Sequence, residues 1–344
     1  MAGFVWKRAH TIAAAGTALV LVGVGTAVAI GGSDDTGTTT PPAVTPQASA
    51  TPAATPAPTP PPSPRPDPVD PLTGRKPSDN PVVVVKVENI AAARPQAGLN
   101  SADIVFVEEV EGSLTRLVAV YHTTFPKSVG PVRSARNTDV ELLPLFGKPG
   151  LVYSGANRKV QRNIDRSPIV PLQRSDRDGS RVAPHNVFVN LDAVAAKAKK
   201  VGEARPIGWT FAIDDPRWVK AAKDSSVTAR VGGDTFSFTE RGGRYVVRWN
   251  GRTYADARSG SVAATDNVVV MSVKNSPDGN ADVNGARSVK SATVGKGKVV
   301  VFRDGRKISG TWRRAGDTKP LRFLDADCRD IPLEVGRTWV LLSG

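Results

Sequence analysis

The chain has 344 residues, with 46 lysines and arginines against 32 aspartates and glutamates, a formal charge of +14, and one cysteine. A lone Cys328 excludes an intramolecular disulfide, and the three histidines, His10, His122 and His185, show no zinc-ligand spacing, so no metal and no other cofactor is expected. The basic excess favours anionic neighbours by long-range attraction.

Residues 1–10 carry Lys7 and Arg8 and read as a short cytoplasmic N-terminus. An apolar run follows over 11–31, which as a helix would rise about 31 Å and span a bilayer core. Asp34 and Asp35 lie beyond it, so the positive-inside bias places the rest of the chain outside the membrane. Ala27, Val28 and Ala29 also form a small-residue cleavage pattern, which leaves a retained single-pass anchor and a cleaved secretory signal both open. No cysteine stands near the end of the run, so a lipid-modified N-terminus is excluded. Residues 32–69 are rich in Pro, Thr and Ala and hold no Leu, Ile or aromatic residue, the composition of a disordered linker. Lys7, Arg8 and Arg65 balance Asp34, Asp35 and Asp67, so the whole positive excess falls on the folded part. Outside a membrane the partners that charge suits are an anionic wall polymer or an anionic lipid surface, with membrane-bound wall-synthesis proteins as further partners; nucleic acid is not expected.

From residue 70 onward the expected class is α+β, with a mixed α/β domain over 70–205 and an antiparallel β-rich domain over 206–344. The valine run at 82–88 reads as a strand buried on both faces. Segments 103–110 and 114–121 read as a hairpin that leaves Arg116 on an apolar face, in need of a carboxylate from Glu108 or Glu109. Glu108 and Glu109 point to opposite faces, so they are no general acid/base pair. Segments 138–146, 157–164 and 191–201 read as helices, the last capped by Asn190 and stopped by Gly202. Beyond about residue 223, short β-branched or aromatic runs at 226–231, 235–239, 245–249, 267–273, 288–294 and 298–302 alternate with turn residues, and 307–312 and 337–342 close the series.

Four stretches of the first part stand out: 93–106 (ARPQAGLNSADIVF), 110–116 (VEGSLTR), 130–136 (GPVRSAR) and 183–186 (APHN). Two more close the second part, 304–314 (DGRKISGTWRR) and 334–339 (EVGRTW). In this order they resemble the YerB-like bacterial envelope family, known as domain of unknown function 3048, from residue 70 to the C-terminus. The resemblance implies an envelope protein of two domains without an established activity. This chain departs from the family's lipoproteins in lacking a lipid-bearing cysteine.

The candidate chemistry lies in the first part. The turn at Gly130 and Pro131 precedes Arg133 and Arg136, whose planar guanidinium groups suit bidentate capture of phosphate or carboxylate. With Arg181, His185 and Asn186 they form a candidate anion-binding set; the competing reading pairs arginines with carboxylates, with Arg116, Glu108, Glu111 and Asp139 as ion-pair candidates. His185 is the one acid or base suited to neutral pH, hence the candidate for catalysis. No nucleophile elbow, phosphate-binding loop or metalloprotease motif is present. The expected function is a non-catalytic, membrane-tethered binding module for an anionic wall component or a wall-synthesis partner. The alternative is an envelope phosphotransferase or hydrolase using His185 and the arginines. Trp312 and Trp339 read as core residues of the β-rich part.

Overall fold

A computed structural model describes residues 69–172, 176–281 and 285–344. The basic N-terminus, the apolar run and the linker through residue 68 lie outside the described residues, among which no helix is long and apolar enough to cross a membrane. Strand β1 (Val83–Glu88) is buried along its whole length, as its valines require. Strands β2 (Ile104–Glu109) and β3 (Thr115–Tyr121) pair antiparallel as the expected hairpin, and β1 lies antiparallel on the other side of β3. Their turn places Gly112 at φ +63° and Ser113 at φ +58°.

Helix α1 (Asn137–Leu142) runs into a single 3-10 turn at Leu143–Phe146. Strand β4 (Gly150–Val152) adds parallel to β1; helix α2 (Arg158–Asp165) is capped by Asn157, whose Oδ1 accepts from Val160 N at 2.8 Å. β5 (Val170–Pro171) closes this edge. The short pair β6 (Asp176–Arg177) and β7 (Val187–Phe188) holds the loop that carries Arg181 and His185. Helix α3 (Leu191–Ala195) has the expected Asn190 cap but ends well before Gly202. Lys197 and Ala198 already bond to the carbonyls three residues back, and Gly202 N is drawn aside to Lys148 O at 2.8 Å, which takes the chain off the helical path.

The second half supplies helix α4 (Pro216–Lys220) and, as expected, otherwise short strands. Strands β8 (Ala222–Lys223), β9 (Ser226–Val231), β10 (Asp234–Arg241), β11 (Arg244–Trp249), β12 (Arg252–Thr253) and β13 (Ala264–Thr265) follow. Five of these, β9 to β13, form a separate sheet with β10 and β11 at its centre. The chain continues through β14 (Asn267–Ser272), the hairpin β15 (Asn275–Ala281) and β16 (Arg287–Ser291), then β17 (Gly295–Arg303), β18 (Arg306–Arg314), β19 (Arg322–Leu324) and β20 (Thr338–Ser343).

Among the described residues, eleven strands from both halves share one sheet, ordered β19-β18-β17-β14-β20-β2-β3-β1-β4-β5 with β8 beside β18. The expectation of a purely antiparallel second half fails at β20, which is parallel to both β14 and β2. Its apolar sequence is buried on both faces, the usual situation of a parallel strand. One core fills each face of this sheet. Phe106, Phe146 and Trp312 lie on one side; Phe236, Phe238 and Trp339 lie between the two sheets, with Trp339 edge-on to Phe238 and Tyr254. Both tryptophans are therefore core residues, and Trp312 Nε1 donates to Ser272 O at 2.9 Å.

The close approach of β18 to β19 depends on Gly310, where a Cβ would stand 1.9 Å from Leu324 O. Gly310→Ala is expected to cost at least about 1–3 kcal/mol, because backbone rather than a movable side chain must yield. An unchanged midpoint of urea unfolding would contradict that packing.

Candidate functional site

Register places four charges side by side near the end of β1. Glu88 stands opposite Arg116, which stands opposite Glu108, and Lys86 lies two residues before Glu88 on the same face. Helix α1 and its preceding loop cover them. Lys86, fully buried, bonds to Glu108 and, at 2.7 Å, to Asp139 of α1. Asp139 also accepts from Arg136 N at 2.7 Å, and Arg136 forks onto Glu111 through Nε and Nη2, the latter at 2.8 Å. Arg116 donates to Ser134 O at 2.8 Å and approaches Glu111 at 3.9 Å. Its carboxylate partner is thus Glu111 rather than the expected Glu108 or Glu109: Lys86 has claimed Glu108, and Glu109 faces the other way onto Asn275.

Glu88 joins this network to the loop beyond β6. Arg133 Nε lies 2.8 Å from Glu88 Oε1, and His185 Nδ1 lies 2.7 Å from Oε2. Four cations, Lys86, Arg116, Arg133 and Arg136, therefore meet four carboxylates, Glu88, Glu108, Glu111 and Asp139. Such a cluster balances its own charge. Burial, then the Asp139 charge, pushes Glu108 up to about 7 despite Lys86. Burial, then Arg136, pulls Arg116 down to about 10. Burial would raise Glu111, but the Arg136 bond outweighs it and the net direction is down.

An open cleft of about 460 Å³ lies outside this network, lined by Ala92, Arg94, Arg181, Val182, Ala183 and His185. Arg94 enters between two rings, its guanidinium 3.9 Å from the Trp249 centroid and 4.0 Å from that of Tyr254. Its Nη2 donates to Asn89 Oδ1 at 2.6 Å, while its buried Nε has no hydrogen-bond partner. Arg181 donates to the carbonyls of Ala93 (3.2 Å) and Pro95 (2.6 Å) and lies over Phe188. Neither guanidinium has an ion-pair partner among the described residues, where Asp178, the acid nearest in sequence to Arg181, is held by Arg258 at 2.8 Å. Burial lowers the Arg181 pKa; the Asp178 charge offsets part of this and Arg258 adds to it.

Of the candidate anion-binding set, Arg181 and His185 line the cleft, Arg133 is tied to Glu88, and Arg136 is committed to Glu111. Asn186 is buried, with Oδ1 unpartnered, and does not line the cleft. Arg94 completes the cleft from within the 93–106 motif, but its aromatic partners lie more than a hundred residues away, on β11 and just after β12, beyond the reach of local patterns. A second cleft of about 440 Å³, beside Trp218 and Val219, offers a cation already held: Arg303 bonds Glu334 at 2.7 Å and Asp304 at 3.1 Å.

Residues 72–204 match the domain described as "Protein of unknown function (DUF3048) N-terminal domain", and residues 224–340 match its C-terminal counterpart. The chain belongs to the DUF3048 family. Among curated proteins it is similar to "Putative lipoprotein YerB" of Bacillus subtilis (strain 168), at 26% identity over 291 residues, covering 78% of this chain and 84% of that one. The crystal structure of the YerB protein from Bacillus subtilis has the same fold, with a TM-score of 0.67 at 23% identity over 80% of this chain and 96% of that one. The two DUF3048 segments meet within one sheet, where β20 of the second pairs with β2 of the first. The first segment supplies Arg181, His185 and Arg94 to the cleft; the second supplies the two rings that hold Arg94.

Proposed function

We propose that this DUF3048 protein is a membrane-tethered, extracytoplasmic envelope protein whose cleft binds an anionic group of a wall polymer or lipid headgroup without transforming it. The observation that carries the reading is the pair Arg94 and Arg181, two guanidinium groups without a carboxylate, in an open cleft beside a network in which every other cation is neutralised. An anion there would meet fixed donors and unbalanced positive charge. The charge order around the apolar run and the name of the lipoprotein relative both support an envelope setting.

Arg181→Glu is expected to weaken binding of glycerol phosphate, followed by calorimetric titration, by about tenfold or more, the loss of one charge-assisted contact. The thermal midpoint should hardly move, since Arg181 bonds only carbonyls at the surface. Unchanged affinity would remove the cleft from consideration. Arg136→Ala, by contrast, leaves Glu111 without its fork and belongs with the destabilising variants.

One observation favours a second reading. Glu88 holds His185 Nδ1 at 2.7 Å, the arrangement that orients an imidazole as a base. The cleft lining holds no serine, threonine or cysteine, so a hydrolase here would use His185 to activate water or as the nucleophile itself. Turnover of a phosphodiester that disappears in His185→Gln would favour that reading over binding alone.

A further inference from the structure

The outer face of the five-stranded sheet has a composition of its own. Along β9, β10 and β11 the inward positions between the strand ends are apolar, including Val227, Phe236, Phe238, Tyr245 and Val247, all buried. Outward, the middle strand presents Thr235, Ser237 and Thr239, then Arg241 at its end. The register sets Thr235 opposite Arg230, and Ser237 between Thr228 on one side and Arg248 on the other. Arg241 faces Arg244 across the turn. The two acids of β10, Asp234 and Glu240, alternate to the inward side, so no carboxylate of these strands reaches this face.

Arg244 is engaged with Asp266 at 3.1 Å, but Arg230, Arg241 and Arg248 make no ion pair among the described residues. These three are exposed at the corners of the hydroxyl rows. Strand spacing puts Arg230 and Arg248, on either side of β10, about 12 Å apart, and Arg241 about 13 Å further along β10 from the Ser237 row. A carpet of hydroxyls with spaced guanidinium groups matches a ligand that is itself long, flexible and alternately hydroxylated and anionic. Guanidinium forks suit phosphate oxygens, and the Ser and Thr hydroxyls can donate to phosphate or exchange hydrogen bonds with polyol and sugar hydroxyls. The face lacks what other partners need: no exposed aromatic ring for stacking bases, and no large apolar anchor of the kind that centres a protein interface, since its apolar side chain among β9, β10 and β11 is the half-buried Val246 opposite Thr239.

We propose that this sheet face is a docking platform for an extended phosphodiester polymer of polyol or sugar units, independent of the cleft around Arg94 and Arg181. The test uses the full chain in detergent micelles, with poly(glycerol phosphate) as probe and polyglutamate and a DNA oligomer as comparisons. Arg230→Glu with Arg248→Glu is expected to weaken polymer binding about tenfold or more and to flatten its salt dependence. Lys199→Glu with Lys200→Glu makes the same change in net charge at exposed positions outside the five-stranded sheet and should change affinity less than about twofold. Equal losses in the two double variants would reduce the effect to overall charge and overturn the platform. Undiminished binding in the Arg230 and Arg248 variant would do the same. Polyglutamate or DNA binding as tightly as the polyol phosphate would overturn the ligand class. Arg181→Glu should leave polymer affinity on the face intact, so failure of the cleft and failure of the platform read out separately.

Discussion

Lys86→Met is expected to cost about 3–5 kcal/mol of folding stability at neutral pH, seen as a large fall in the urea midpoint with little change in slope. The ammonium is completely buried and is the group that holds Glu108 and Asp139 together, so its removal strips the buried Asp139 carboxylate of its cation and takes away the charge that keeps the Glu108 pKa down, leaving Glu108 protonated. Methionine fills a similar volume, which confines the effect to charge. Two companion results would identify the cause. Adding Asp139→Asn to Lys86→Met should recover part of the loss by deleting the stranded charge, while adding Glu108→Gln should change little at neutral pH, where that carboxyl already carries a proton. A Lys86→Met protein as stable as its parent would mean that β1, β2 and α1 are not joined through this ion cluster.

Alternation and turn chemistry were sufficient for most strands. The run 226–231 coincides with β9, and the 103–110 and 114–121 hairpin closes around a glycine in the left-handed region. Those signals are local, and the features missed are not. The parallel insertion of β20 between β14 and β2 joins segments more than sixty residues apart, and nothing in a six-residue apolar strand states its neighbours. Lys86 appears in the sequence only as an interruption of a valine run. In the fold it takes Glu108, and so sends Arg116 to Glu111. The same competition sorted the arginines: Arg133 and Arg136 lie within reach of Glu88 and Glu111, whereas Arg181 bonds only carbonyls and its nearby acid, Asp178, is taken by Arg258. Residue type can nominate a guanidinium for an anion site. Whether a carboxylate has reached it first is a property of the tertiary fold.

Stability is expected to decline as pH rises from about 5 to about 8, opposite to the behaviour of a protein held together by surface carboxylates. Glu108 shifts from an ordinary 4.5 to about 7 because burial and Asp139 outweigh Lys86. Between those values the folded protein keeps a proton that the unfolded chain has released, so the associated stability is complete below the lower value and is lost through the upper one. At full effect this amounts to at most on the order of 3 kcal/mol. His122 acts in the same direction at higher pH. Burial alone would lower it, but Asp70, 3.0 Å from Nε2, and Asp103 raise it above the usual imidazole range, so its contribution fades as the pH climbs past 6.5. Asp70 and Glu111, lowered by their partners, contribute above their ordinary values and weaken only in acid, outside this window. Thermal midpoints measured across the range should fall, with Glu108→Gln flattening the lower part of the curve and His122→Gln the upper part. If Glu108→Gln follows the parent curve unchanged, the proton resides elsewhere and the buried carboxyl is ionised throughout, fully compensated by Lys86.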